Sequence, residues 1–162
     1  RRRRCTVTAV EPAMSKKILF LDSDSVLHPN CTVSVLPDGS VSGPGAFRWI
    51  SIFESHMQAH PDVSVVVHSS WRLLWETDRE LKNQLPEILA KRIIGVTPRL
   101  VMGRYPSIQA YCASQKIQRH VILDDEPLAF PEGLPELVVC DAVLGVSSRR
   151  TGLALSRALA EL

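Results

Sequence analysis

The chain has 162 residues, 45% of them hydrophobic, enough for one domain with a substantial core and too few for two. Its formal net charge of +2 sits at the start, where Arg1 to Arg4 and Glu11 supply +3 and leave residues 14–162 at −1, so the folded part is not globally basic. With no apolar run near membrane-span length, no signal-peptide segment, and four cysteines (Cys5, Cys31, Cys112, Cys140) without a C-x-x-C pair, the expectation is a cytoplasmic protein with reduced thiols and no zinc knuckle.

Residues 1–13 read as an extension ahead of Met14; the alternative is a basic arm that contacts phosphates. Residues 14–162 read as a single domain. Its first strand is Ile18 to Leu21, an apolar run that ends in Asp22-Ser23-Asp24. Thr32 to Val41 follows as a hairpin around Pro37-Asp38-Gly39-Ser40, placed to act as a small flap beside those acids. Ala46 to His60 has helical spacing. His56 and His60 lie four apart there, but Met57 stands where the H-E-x-x-H zinc motif needs its glutamate, so both histidines read as solvated.

Val63 to Val67 is a second buried strand, running into His68-Ser69-Ser70-Trp71-Arg72. The serines suit either a helix N-cap or hydrogen bonding to phosphate, and Trp71 to Leu85 carries helical apolar spacing. Trp71 and Trp75 read as packing residues. Pro86 to Arg92 is a short helix or turn, Ile93 to Pro98 an extended segment, and Arg99 to Pro106 a loop with Arg99 and Arg104. Ser107 to Gln118 reads as an amphipathic helix, and His120 to Asp125 as a third strand ending in acids, Asp124 and Asp125. A strand from Leu137 to Cys140 and a helix from about Thr151 close the chain. Alternating strands and helices predict a three-layer α/β domain with a mostly parallel sheet, a hairpin flap and no room for a large cap domain.

The candidate groups all fall at strand ends or in the loops after them, where open α/β sheets bind ligands. Four carboxylates, Asp22, Asp24, Asp124 and Asp125, need neutralisation, and an oxygen-only donor set suits Mg²⁺. A carboxylate can attack phosphorus, and a second one two residues on can protonate the leaving oxygen and then activate water. Hydroxyl and guanidinium groups, from Ser69, Ser70 and Arg104, would stabilise the transferring phosphoryl group. Arg72 and Arg99 are candidates for a substrate rim, Arg72 alternatively for holding an acid in place.

Asp22-Ser23-Asp24-Ser25-Val26-Leu27 resembles the first motif of the haloacid dehalogenase (HAD) superfamily. With HSSWR, GVTP, Arg104 ahead of a helix, VILDD, and Asp141 with Gly152-Leu153, the chain is similar to the small HAD-like domains of Swiss Army Knife RNA repair proteins. The resemblance implies a Rossmann-like fold and a Mg²⁺-dependent phosphatase. Asp22 would be the nucleophile, Asp24 the general acid/base, Ser69 or Ser70 the phosphate-binding hydroxyl, and Asp124 and Asp125 the remaining metal site. Arg104 would stand where lysine is usual, with Lys91 and Lys116 as alternatives, and Ser25 where glycine is common. The expected partner is a phosphorylated substrate, a nucleic-acid end or a nucleotide. The rival expectation is a silent module that binds phosphorylated RNA or a protein.

Overall fold

The structure, a computed structural model, describes residues 16–162. The expected extension over residues 1–13 and Cys5 lie outside the described residues. In β1 (Lys17–Leu21), Ile18 and Phe20 join one apolar cluster, while Leu19 and Leu21 join the other. Successive side chains of a strand point to opposite faces, so an unbroken apolar run here means a sheet covered on both sides.

β1 is central and pairs in parallel with β4 (Val63–Val67) and β6 (His120–Asp124). β2 (Ser34–Val35) and β3 (Val41–Ser42) form the antiparallel hairpin, β5 (Ile93–Val96) lies outside β4, and β7 (Leu137–Val139) lies outside β6. The main sheet is therefore ordered β5-β4-β1-β6-β7, all parallel. On one face α1 (Ile50–Gln58), α2 (Asp78–Asn83), α3 (Glu87–Ala90) and α5 (Arg149–Glu161) bury Phe53, Leu81, Leu89 and Leu155. On the other, α4 (Arg104–Gln115) packs Ile108 against Ile18, Phe20 and Ile122. This is the three-layer, Rossmann-like parallel sheet with a small hairpin that the sequence predicts. No helix among the described residues is long and apolar enough to cross a membrane.

Several boundaries differ from the sequence reading, each for a local reason. The helix expected from Trp71 to Leu85 is broken into a 3-10 turn, Ser70–Leu73, and α2. Thr77 and Glu80 form a capping box, with the Thr77 hydroxyl accepting from the Glu80 N–H at 3.2 Å and the Glu80 carboxylate accepting from the Thr77 N–H at 2.9 Å. That pair starts a new helix inside the expected one. The helix expected from Ala46 begins only at Ile50, because Phe47 takes a left-handed conformation with φ +53°. At its other end α1 stops at Gln58, so His60 falls beyond it, and His56 bonds Ser156 through Nδ1 at 3.0 Å. The helix expected from Ser107 starts at Arg104, and Lys116, left-handed at φ +55°, ends it.

One glycine joins the two sides of the sheet's carboxyl edge. Gly145, in the loop after β7, has φ +52°, and a Cβ there would lie 2.4 Å from the Trp49 ring and 2.6 Å from the Val26 carbonyl oxygen. Neighbouring backbone bonds run the same way, from the Trp49 N–H to the Leu27 carbonyl at 3.0 Å and from the Val146 N–H to the Val26 carbonyl at 3.1 Å. Gly133 is the control, since it has φ +71° but nothing within 4 Å of its Cβ position. Gly145→Ala should cost about 2–5 kcal/mol, from left-handed strain plus overpacking, and Gly133→Ala only about 1–2 kcal/mol. Urea midpoints at unchanged m-value would measure both, and equal losses would show that the Trp49 and Val26 contacts are not the constraint.

Candidate active site

Strand register assembles the site. Leu21 stands opposite Val67 on one side and Leu123 on the other, so the next residues outward, Asp22, His68 and Asp124, come side by side. Two more backbone bonds extend the ladder there: the His68 N–H donates to the Leu21 carbonyl and the Asp22 N–H to the Leu123 carbonyl, both at 3.1 Å. Asp22 and Asp124 are buried, although each carries a carboxyl group. Asp125 leans in from the residue after β6, and carboxylate oxygens of Asp22, Asp124 and Asp125 lie within 4.8 Å of one another.

Arg104 is the cation inserted among them. Its Nη1 donates to Asp22 Oδ2 at 2.5 Å and to Asp124 Oδ2 at 2.6 Å, and its Nε reaches Glu126 Oε2 at 3.2 Å. It can do this because α4 begins at Arg104 itself. Burial works against its charge, but Asp22 and Asp124 overcome that and hold the guanidinium firmly protonated. Burial and the neighbouring Asp22 charge push Asp124 up to about 7, against the opposing pull of Arg104. Asp125 is also raised, by burial first and Asp22 second, with the Ser25 hydroxyl pulling the other way.

His68 contacts Asp124 at 3.5 Å from Nε2, but it is a neutral imidazole rather than an ion-pair partner. Burial and the Arg104 cation bring its pKa down to about 3. Ser69 is buried and caps the 3-10 turn, its hydroxyl accepting from the Trp71 N–H at 3.2 Å. Ser70 points into solvent. The capping role of Ser69 uses an acceptor lone pair and leaves its O–H free to donate.

Asp24 is placed differently from the other three acids. Its side chain is 36% exposed, and its Oδ1 bonds His28 Nε2 while its Oδ2 accepts from Trp71 Nε1, each at 3.0 Å. The His28 hydrogen bond, reinforced by Trp71 and opposed by burial, holds its carboxyl below the usual range. Its carboxylate is not part of the three-acid cluster, although the sequence reading put it among the metal ligands. Ser25, beside it, adopts φ +57°, the left-handed region that favours glycine.

The two arginines expected at the substrate rim are used as braces. Arg72 is buried and donates from Nη1 to the His68 and Ser69 carbonyls at 3.0 and 3.1 Å. Arg99 donates from Nε to the Arg72 and Trp75 carbonyls at 2.9 and 3.2 Å and pairs with Asp78 at 2.9 Å. A turn full of outward carbonyls draws in whatever donors are near, which composition could not foretell. Lys91 pairs with Glu87 at 2.7 Å on the surface, and Lys116 sits at the opposite end of α4 from Arg104. Asp141 closes its own turn, accepting from the Val143 and Leu144 N–H groups at 2.9 Å each. The hairpin follows the acids as expected, and its tip is tethered where Trp75 Nε1 donates to the Gly39 carbonyl at 3.2 Å.

Sequence reasoning passed over His28 and Glu126, and it took Trp71 for packing alone. The four-residue spacing from Asp24 to His28 was the available signal, but it brings the two together only because a turn at residues 25–27 curls the chain back. Comparison with family models matches residues 18–151 to the HAD domain in Swiss Army Knife RNA repair proteins. A comparison with curated proteins found no match, and one with solved structures found none either. The matched span runs from Ile18 in β1 to Thr151 near the start of α5 and contains every acid and arginine of the site, and the chain belongs to the family of HAD domains in Swiss Army Knife RNA repair proteins.

Proposed function

We infer that the protein is a Mg²⁺-dependent phosphomonoester hydrolase that works through an aspartyl-phosphate on Asp22. The observation that carries this reading is the convergence of Asp22, Asp124 and Asp125 within 4.8 Å, with Arg104 bonded to two of them. Three carboxylates with no nitrogen or sulfur donor among them suit a hard divalent cation, and a raised Asp124 and Asp125 fit acids crowded without one. Asp22, Asp124 and Asp125 would hold the ion, which when bound supplies positive charge to the phosphoryl oxygens and keeps the acids ionised.

In the first half-reaction an Asp22 oxygen attacks phosphorus and the bond from phosphorus to the ester oxygen breaks. Asp24 gives its proton to that oxygen, releasing the alcohol. In the second, Asp24 takes a proton from water as the water oxygen attacks phosphorus, and the bond to Asp22 breaks, releasing inorganic phosphate. Arg104 supplies fixed positive charge beside the attacked group, and Ser69 supplies a hydroxyl donor. The favoured substrate is a terminal phosphate of a nucleic acid, with a nucleotide second. The family's association with RNA repair supports this choice. Arg72 and Arg99, engaged with carbonyls, do not.

Phosphate release from p-nitrophenyl phosphate, mononucleotides and 5′- or 3′-phosphorylated oligonucleotides should require Mg²⁺ and should fall at least a thousandfold, roughly, in Asp22→Asn. Asp22→Asn at full rate would sink the reading. Tight binding of a phosphorylated oligonucleotide with no turnover at saturating Mg²⁺ would instead favour a silent binding module. Mg²⁺ at about a hundred times its Kd should also stabilise the fold by about 2.7 kcal/mol, and Asp125→Asn should lose most of that gain. A thermal midpoint that ignores Mg²⁺ in the parent protein would show that the three acids do not form a metal site.

A further inference from the structure

Asp24 is gripped from two directions by side chains outside the assigned machinery. His28 is fully buried, and a carboxylate can only accept, so the proton shared at 3.0 Å lies on His28 Nε2. His28 Nδ1 has no partner among the described residues. Its ring is fixed by Phe47, edge-on with centroids 5.5 Å apart, and by Trp71 at 5.4 Å. Trp71, itself edge-on to Phe47 at 5.7 Å, donates its indole N–H to the other Asp24 oxygen at 3.0 Å. Asp24 is thus tied to the turn after β1 through His28 and to the Ser69-capped turn after β4 through Trp71.

We propose that His28 and Trp71 are positioning residues that clamp the Asp24 carboxylate at the mouth of the site so that it can carry a proton to the leaving oxygen and back from water. This rests on the phosphatase reading above. One donor on each Asp24 oxygen orients the group, and each oxygen keeps a second lone pair for the proton it moves. Without the two donors the side chain is free to rotate, and general acid catalysis is sensitive to such loss because the acid must lie within hydrogen-bond reach of one atom. Trp71 also joins Asp24 to the turn that presents Ser69, so the acid/base and the phosphate-binding hydroxyl share one support.

The test uses two esters that differ in their need for an acid. Departure of p-nitrophenolate needs little protonation, whereas departure of the 5′-oxygen of a nucleoside monophosphate needs it strongly. For each, kcat/KM reports only the steps up to loss of the alcohol. Trp71→Phe keeps a flat ring without the N–H, and His28→Leu removes the other donor. Both should lower kcat/KM for the nucleotide about tenfold or more and for p-nitrophenyl phosphate by less than about threefold. His28→Gln, whose amide nitrogen reaches about as far as Nε2, should recover most of the loss. Equal losses on both esters, as a packing defect gives, or no loss at all, overturn the clamp while leaving the phosphatase reading intact. A parent protein that turns over neither ester nor a 5′- or 3′-phosphorylated oligonucleotide with Mg²⁺ overturns both. Should Trp71→Phe not fold, the His28→Leu and His28→Gln pair decides by the same comparison.

Discussion

The structure turns on crowding of negative charge at the carboxyl ends of two neighbouring strands, β1 and β6. Parallel register puts Asp22 and Asp124 beside each other, and Asp125 comes within 4.8 Å. Two full charges at that spacing repel by about 3–4 kcal/mol at an effective dielectric constant of 20. Burial makes the problem worse, since Asp22 and Asp124 are almost closed to water. The crowding shows in Asp124, whose carboxyl is pushed up to about 7, and in Asp125, which is raised as well. It is countered by Arg104, whose single nitrogen bridges two of the acids.

Much of the surrounding architecture serves that bridge. Arg104 lies in the first turn of α4, and α4 is held down by Ile108 against Ile18, Phe20 and Ile122. An ammonium could not replace the guanidinium without loss of geometry. The planar fork lets Nη1 face the buried acids while Nε reaches Glu126, whereas a lysine offers one point charge. The site therefore inherits its rigidity from the core: the side chains that set the position of α4 are the inward residues of the same strands that end in the acids.

On the other side of the site the constraint is hydrogen bonding of irregular backbone. The chain leaving β4 turns sharply, and its carbonyls are collected by Arg72 and Arg99. Buried carbonyls need donors, and two arginines buttressing one turn meet that need at the expense of surface charge. The turn in return presents Ser69 and Trp71. Ser25 shows a related compromise. Its left-handed backbone is unfavourable for a residue with a Cβ, but its hydroxyl acts on Asp125, which a glycine could not do.

The amino-acid sequence by itself determined the layered sheet, because an apolar run such as Ile18 to Leu21 has no stable place except between two covered faces. It also placed Asp22, Asp124 and Asp125 at strand ends and Arg104 near a helix start, since strand termini follow directly from where apolar residues give way to acids. Helix boundaries were less legible: Phe47 and Lys116 take left-handed conformations that their residue types do not announce, and the Thr77 and Glu80 capping box was hidden inside a longer apolar period. What each polar group bonds to was decided only by the tertiary structure. Asp24 turned to His28 and Trp71, 47 residues away along the chain, and Arg72 and Arg99 turned to carbonyls. Strand formation depends on local apolar pattern, whereas a hydrogen bond depends on which donors and acceptors arrive within about 3 Å once distant segments pack.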